Sequence, residues 1–412
     1  GTVLLLLPIS SRNDTSITFV DALFMSTSAT CVTGLATINV ASSLSVFGYV
    51  VMCILMEIGG LSLITIGVFI FSIIGAKIGV SDRILIKEAL NQNSVKGVVG
   101  LVRKIVLTSF IIQAVGVIIN MFGLVPYYNN FFKALGISVF HSIASFNNAG
   151  FDIFGDNSMI EFSNNIILNS STILMIILGS MGFVVINDIL MKKRWKNLTL
   201  HSKITIITSI FLIIGGTFLI KISINSMTWM ESIFTSVTTR TAGFTTVDMS
   251  NLPPAAFCII SGLMFIGASP CSTGGGIKTT TFAIILISIV YFASGKRAHA
   301  FKRQIPRLAI FKAFVLFVVA ILAVGTCFFL ISIIQPELQT EKIMFEVISA
   351  FSTTGLSMGI TPYLNSASKI IISLLMLFGR LGPLTIIGVV NKHFMSDTKE
   401  NLKYVEEGVI IG

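Results

Sequence analysis

Thr30-Cys31-Val32-Thr33-Gly34-Leu35, Asn147-Asn148-Ala149-Gly150-Phe151, Arg240-Thr241-Ala242-Gly243-Phe244 and Ser352-Thr353-Thr354-Gly355-Leu356 share one pattern: polar residues, a glycine, then Leu or Phe, each beside a long apolar stretch. The glycines stand 116, 93 and 112 residues apart, so a unit of about one hundred residues occurs four times. Four such units around one axis, each offering a polar backbone loop at membrane depth, are one way to build a cation selectivity filter from one polypeptide.

Outward from each loop the order repeats: a span, a short re-entrant helix, the loop, a second span. The fourth unit reads most clearly. Residues 310–334 are apolar, Pro336 ends the helix, and Ile343, Met344, Val347, Ile348 and Phe351 recur at helical spacing within 341–351. That stretch is too short to span a bilayer and long enough for half of one. The matching re-entrant stretches are 18–28, 134–145 and 230–238. Irregular backbone survives in lipid only where protein or water satisfies its amides and carbonyls, so four such loops imply a shared, water-filled interior. The expected fold is an all-α integral membrane protein of four tandem units in pseudo-fourfold arrangement around one pore. The units are 1–100, with a truncated first span; 101–202; 203–307, with an interrupted second span; and 308–412, with a C-terminal tail.

Composition agrees. The 412 residues are 54% hydrophobic and 11% charged, against about 25% charged in soluble domains. Apolar runs of spanning length fall near 45–75, 105–124, 165–190, 204–222, 310–334 and 368–390, and another at 254–292 is broken in its middle. Residues 3–7 read as the tail of a preceding span; without a basic n-region or a small-residue cleavage site they are not a signal peptide. The net charge of +10 does not point to nucleic acid, because it is concentrated between spans. Lys77, Arg83, Lys87, Lys96, Arg103 and Lys104 form one cluster, Lys192, Lys193, Arg194, Lys196 and Lys203 a second, and Lys296, Arg297, Lys302, Arg303 and Arg307 a third. The positive-inside bias makes these loops cytoplasmic and brings the glycine loops in from outside. Cys31, Cys53, Cys258, Cys271 and Cys327 show no CxxC spacing and read as small buried hydrophobes.

A loop that aims successive carbonyls at one ion must alternate backbone handedness, and glycine reaches positive φ at little cost. Rings of such carbonyls replace the hydration shell of K⁺. The candidate filter residues are Val32, Thr33 and Gly34; Asn148, Ala149 and Gly150; Thr241, Ala242 and Gly243; and Thr353, Thr354 and Gly355, with K⁺ held by backbone carbonyls at the four glycines. One polar-Gly-apolar loop is an ordinary turn; the reading rests on four in register. Each exit span also carries a glycine step, at Gly59-Gly60, Gly179-Ser180, Gly267-Ala268 and Gly379-Arg380, where small residues allow close helix approach.

The third exit span is interrupted over 267–281, with Pro270 and three consecutive glycines that no helix sustains. A phosphate-binding P-loop is excluded, since Ile277 separates Gly276 from Lys278 and no strand precedes it. A packing kink and a gate below the filter both remain open for this segment. The candidate gate residues are Gly267, Ser269, Thr273, Gly274, Gly275, Gly276, Lys278 and Arg380. Arg380, mid-span, costs about 2.5–3.5 kcal/mol on insertion scales, so it faces the interior, as a barrier to cations or as a pin on loop carbonyls. Glu57 reads as a structural hydrogen-bonding group. Lys278 orients the broken loop. Arg240 braces the third loop, with Asp152 and Asp248 as candidate partners.

At these residues the chain resembles the membrane subunit of the Ktr/Trk/HKT potassium-transporter superfamily, the Ktr type in particular. The family patterns TVTGL, NNAGF, RTAGF and TVGL are matched by residues 31–35, 147–151, 240–244 and 353–356, with Cys31 and Thr354 as departures. The resemblance implies one K⁺ pathway per subunit, an intramembrane loop that gates it, and Na⁺ as a candidate activator. Gly34, where some plant members carry Ser and prefer Na⁺, favours K⁺. It further implies a homodimer seated on a cytosolic ring of Rossmann-like subunits that bind ATP or ADP, with the acidic-then-apolar tail 404–412 tucked into the other protomer. A multi-pass protein of the cell membrane follows, and Ile-, Asn- and Lys-rich usage suggests a bacterium.

The expected function is K⁺ uptake down the electrochemical gradient, with no organic cofactor and no enzymatic chemistry. A Na⁺-permeable or K⁺/Na⁺-coupled transporter of the same superfamily is the alternative. A coupled carrier would instead show a two-fold repeat with charged groups at broken helices. A membrane enzyme would need a motif such as HExxH or GxSxG, neither of which occurs, and His141, His201, His299 and His393 are scattered.

Overall fold

Fourteen helices of ten residues or more make up the described part of the chain, which in this computed structural model comprises residues 1–12, 17–74, 79, 97–155 and 158–382. Lys77, Arg83, Lys87, Lys96 and the tail 404–412 lie outside these residues, as does the end of the run expected at 368–390.

In chain order the helices are α1 (Phe19–Thr30), α2 (Val46–Leu61), α3 (Leu63–Ile74), α4 (Val98–Leu124), α5 (Phe131–Phe146), α6 (Ile166–Ser180), α7 (Phe183–Lys192), α8 (Leu200–Ser223), α9 (Trp229–Thr238), α10 (Pro254–Phe265), α11 (Thr279–Ala293), α12 (Arg307–Ile334), α13 (Thr340–Ser352) and α14 (Ser366–Leu381). Among the described residues, α4, α8 and α12 are each long and apolar enough to cross a membrane, and the count rises to five if the bent pairs α2–α3 and α6–α7 are single spans. Only 17% of the most apolar window of α12 is buried within the protein, so most of that apolar helix is left uncovered by the rest of the chain.

Short polar caps start three of the four re-entrant helices. The Thr18 side chain accepts from the Asp21 amide, Asn130 accepts from the Phe132 and Lys133 amides, and Thr228 forms a reciprocal capping box with Glu231. Each cap satisfies amides that the first helical turn leaves unpaired. The observed helices 19–30, 131–146, 229–238 and 340–352 overlap the stretches expected from the sequence.

The packing is cyclic. Each exit helix lies against the next re-entrant helix: α2 on α5, α6 on α9, α10 on α13, and α14 back on α1. Lys369 of α14 closes the ring with a 2.7 Å ion pair to Asp21 of α1.

The exit spans differ from expectation in one respect. The sequence marks only the third as broken, yet backbones with positive φ end α2 at Ser62 (φ 70°), separate α6 from α7 at Gly182 (φ 92°) and end α14 at Gly382 (φ 81°). The chain turns by 93° between α6 and α7. Just before these breaks, a Cβ on Gly59, Gly179 or Gly379 would collide with the carbonyl of Thr30, Phe146 or Phe351 at the end of a re-entrant helix. The glycine steps are therefore places of close approach. Two smaller differences concern side chains: Arg103 and Lys104 are helical within α4, and Cys258 is exposed on α10.

Candidate functional site

The re-entrant helices α1, α5, α9 and α13 run directly into the four glycine loops. Their C-terminal ends carry partial negative charge that favours a cation. Each loop has the same backbone alternation. The residue two before the glycine is left-handed (Val32 φ 57°, Asn148 φ 58°, Thr241 φ 69°, Thr353 φ 52°), the next is not, and the glycine is again at positive φ (Gly34 94°, Gly150 67°, Gly243 83°, Gly355 90°). Four non-glycine residues, three of them β-branched Val or Thr, hold a conformation that costs about 1–3 kcal/mol per residue and persists only where the surroundings over-determine it.

Those surroundings are visible. The amides of Thr33, Ala149 and Thr354 donate to the carbonyls of Ser28, Ala144 and Ser349, five residues back. The third loop is shifted by one, with both Ala242 and Gly243 amides on the Thr238 carbonyl. Ser28 and Ser349 hydroxyls accept the amides of Gly34 and Gly355 at 3.2 and 3.1 Å. With the amides turned back onto the helices, the carbonyls of Thr33, Ala149, Ala242 and Thr354 accept no hydrogen bond from any described residue.

The glycines touch in sequence order. A Cβ built on Gly34 or Gly150 would stand 2.6 or 2.7 Å from the carbonyl oxygen of Ala149 or Ala242, and one on Gly243 or Gly355 would press on that of Thr354 or Thr33. Every candidate filter residue is therefore brought into one ring, in which the second and fourth loops stand opposite each other. On one side the ring opens into a cavity of about 280 Å³, lined by all four glycines together with Asp152, Ser357 and Thr361.

On the other side lies the interrupted span. Residues between α10 and α11 are buried at Gly267, Ser269, Thr273, Gly274, Gly275 and Gly276. The Ser269 and Thr273 amides donate to the Ser180 and Gly179 carbonyls of α6 at 3.1 and 3.2 Å. The Thr273 hydroxyl donates to the Phe146 carbonyl at 3.3 Å, and the Gly275 amide donates to the Thr353 hydroxyl at 3.0 Å. A Cβ on Gly274 would strike the Thr241 hydroxyl. The segment thus touches the second, third and fourth loops and crosses the base of the ring.

Charged groups fix it there. Lys278 donates to the Gly274 carbonyl at 2.7 Å, inside its own loop. Arg380 donates to the carbonyls of Thr273 and Gly59, and to that of Gly60 at 3.2 Å. One guanidinium from α14 therefore joins the interrupted span to the end of α2.

Arg240 has a different partner from those the sequence suggested. It is buried and donates to the Ser209 hydroxyl of α8 at 3.0 Å. Asp152 instead accepts from the Phe154 amide at 3.3 Å, and Asp248 from the Ser250 amide and hydroxyl at 2.9 and 2.8 Å. The two Ser250 bonds hold the exposed Asp248 carboxyl below the usual carboxylate range. Glu57 faces the Gln113 and Asn147 amides, but neither of its carboxylate oxygens makes a hydrogen bond.

Sequence reasoning missed Glu346. It is fully buried on α13 and accepts from the hydroxyls of Thr361 and, at 2.8 Å, Ser357. A carboxylate among the apolar residues Ile343, Met344, Val347 and Ile348 was the available signal.

Known proteins are similar to this chain in sequence and in fold. The TrkH family, described as cation transport protein, matches residues 2–212 and 198–401. The potassium/sodium uptake protein NtpJ of Enterococcus hirae is 38% identical, with 100% of this chain and 94% of that protein covered. The Ktr system potassium uptake protein B of Bacillus subtilis is also 38% identical, over 100% and 93%. The crystal structure of the potassium transporter TrkH from Vibrio parahaemolyticus superposes with a TM-score of 0.73 at 18% identity, covering 92% of this chain and 80% of that one. A fold match along nearly the whole chain, with full-length sequence identity to uptake proteins, gives one conclusion: the chain belongs to the TrkH family of cation transport proteins.

Proposed function

We propose that the chain is a K⁺-uptake pore of four units in pseudo-fourfold arrangement, in which the glycine loops are the selectivity filter. The observation that carries this reading is the closed ring of four glycines, each against the next loop's carbonyl. Carbonyls left without protein donors are free to replace water around a dehydrated cation, and the four helix ends add a field of the same sign. Ions move down their gradient. A membrane potential supplies about 2.3 kcal/mol per 100 mV for each inward charge, enough for accumulation without a resident catalyst.

Residues 267–281 serve as the gate, with Arg380 as both its pin and a positive barrier below the filter. Support comes from the bonds that hold the segment across the ring's base. The division into units 1–100, 101–202, 203–307 and 308–412 is supported by the cyclic contacts of their helices. A homodimer on a cytosolic nucleotide-binding ring supplies regulation; the name of the Bacillus relative, a Ktr system protein, supports a multi-component assembly. The site of action is the cell membrane of a bacterium, with the basic loops on the cytosolic side.

A second reading, Na⁺ permeation or coupling alongside K⁺, is favoured by the name of the Enterococcus relative, a potassium/sodium uptake protein. Uptake of K⁺, Rb⁺ and Na⁺ into proteoliposomes separates the two. K⁺ and Rb⁺ flux well above Na⁺ is expected; equal flux, or K⁺ flux that requires Na⁺, selects the second.

A further inference from the structure

The cavity above the glycine ring holds a feature that the filter does not use. Among the described residues that line it, Asp152 is the only ionisable one, and it comes from the second loop. Across the ring, from the fourth loop, come Ser357 and Thr361. Both hydroxyls are held from behind by Glu346, whose two carboxylate oxygens each accept from one of them.

The direction of those bonds matters. Ser357 and Thr361 both donate to the Glu346 carboxyl, so their protons point away from the cavity. The Ser357 oxygen also accepts the Gly359 amide at 2.9 Å, so one of its lone pairs and those of Thr361 are left for the cavity. Glu346 is 0% exposed, and among the described residues it forms no ion pair. A buried carboxylate without a cation is costly, and it stands directly behind the wall of a chamber that ions must cross. The corresponding positions on the other re-entrant helices, nine residues before each glycine, are Met25, His141 and Phe234. The feature is therefore peculiar to the fourth unit and is not part of the repeated filter design.

We propose that the cavity contains an outer cation site, separate from the glycine ring, that takes a partly hydrated monovalent cation between the Asp152 carboxylate and the Ser357 and Thr361 hydroxyl oxygens, with Glu346 as the positioning residue. This rests on the glycine ring being the ion pathway. A cavity of about 280 Å³ accommodates an ion with several waters, each of which occupies about 30 Å³ in the liquid. The site concentrates cations at the mouth and hands them to the ring, which strips the remaining water. Its chemistry is carboxylate and hydroxyl oxygen, so it recruits K⁺, Rb⁺ and Na⁺ alike and leaves discrimination to the glycines.

The test is the concentration dependence of Rb⁺ uptake by the purified full chain in proteoliposomes, with any regulatory subunits it requires. Asp152→Asn, the pair Ser357→Ala with Thr361→Ala, and Glu346→Gln are compared with the parent protein and with Gly243→Ser. The expected result is an apparent KM raised on the order of tenfold, by loss of local charge in the carboxyl variants and of ligand oxygens in the hydroxyl pair. Maximal flux and the K⁺/Na⁺ ratio stay unchanged. Ser357→Thr, which keeps the oxygen, retains the parent KM. If Glu346→Gln fails to fold, Asp152→Asn and the hydroxyl pair decide the matter. An unchanged KM in both, with selectivity still lost in Gly243→Ser, overturns the outer site and spares the filter. Selectivity unaffected by Gly243→Ser removes the filter reading on which the site rests. A loss of selectivity in Asp152→Asn also overturns the proposal, since it would merge the two sites.

Discussion

Arg380 and Thr273 are 107 residues apart in sequence, yet the Arg380 guanidinium donates directly to the Thr273 carbonyl. It thereby holds the interrupted span under the glycine ring while a second nitrogen holds the Gly59 carbonyl of α2. Arg380→Gln removes two or more charge-assisted bonds, each worth about 1.5–3 kcal/mol, and takes a positive charge off the ion's path. Rb⁺ flux through the variant is expected to rise, with weaker dependence on regulatory subunits. Parent-like kinetics in a monodisperse variant would exclude both the pin and the barrier.

The interrupted span itself is testable by removal. Deleting residues 269–276 takes away the contacts with α6 and with the second and fourth loops. Basal flux is expected to increase in a protein that still runs as a folded species on size exclusion. A folded deletion whose flux is unchanged or abolished argues against a gate.

Two hydroxyls support the loop backbone. Ser28 and Ser349 accept the Gly34 and Gly355 amides, whereas the equivalent positions before the second and third glycines, Ala144 and Val237, have no hydroxyl. Ser349→Ala leaves a buried amide unsatisfied at about 1–3 kcal/mol. A lower melting temperature together with a smaller K⁺/Na⁺ flux ratio is the expected outcome. A stability loss without any change in ratio would reduce Ser349 to a packing role.

The ring's closure depends on a half-buried ion pair. Lys369 lies 2.7 Å from Asp21, with both side chains mostly covered, and Thr18 donates to the other Asp21 oxygen at 2.6 Å. Asp21→Asn is expected to lower stability by about 1.5–3 kcal/mol, read as thermal unfolding in detergent. If Asp21→Asn and Lys369→Met are each neutral, the first and fourth units are held by apolar packing alone.

Much of this was legible before any coordinates. Apolar runs marked the spans, because hydrophobic length is a local property of sequence. The glycine loops were legible because the same requirement, positive φ beside a neighbour's carbonyl, recurs four times. The breaks at Ser62 and Gly182 were not, since hydropathy runs unbroken through 45–75 and 165–190 and carries no information on φ. Arg240 suggested an acidic partner on general grounds. The actual partner, Ser209, lies on the helix before it, and only helix packing brings them together. Glu346 was in plain view as a carboxylate among apolar residues, but its role needed Ser357 and Thr361 placed beside it.

The central claim is that the four glycines form the filter. The most direct measurement is the ratio of K⁺ to Na⁺ flux into proteoliposomes for the parent chain and for Gly243→Ser. Gly243 sits at φ 83°, and a side chain there would press on the Thr354 carbonyl, so the substitution distorts two adjacent loops. High K⁺ preference in the parent, lost in the variant, is the predicted result. Equal K⁺ and Na⁺ flux through the parent, indifferent to the substitution, would contradict it.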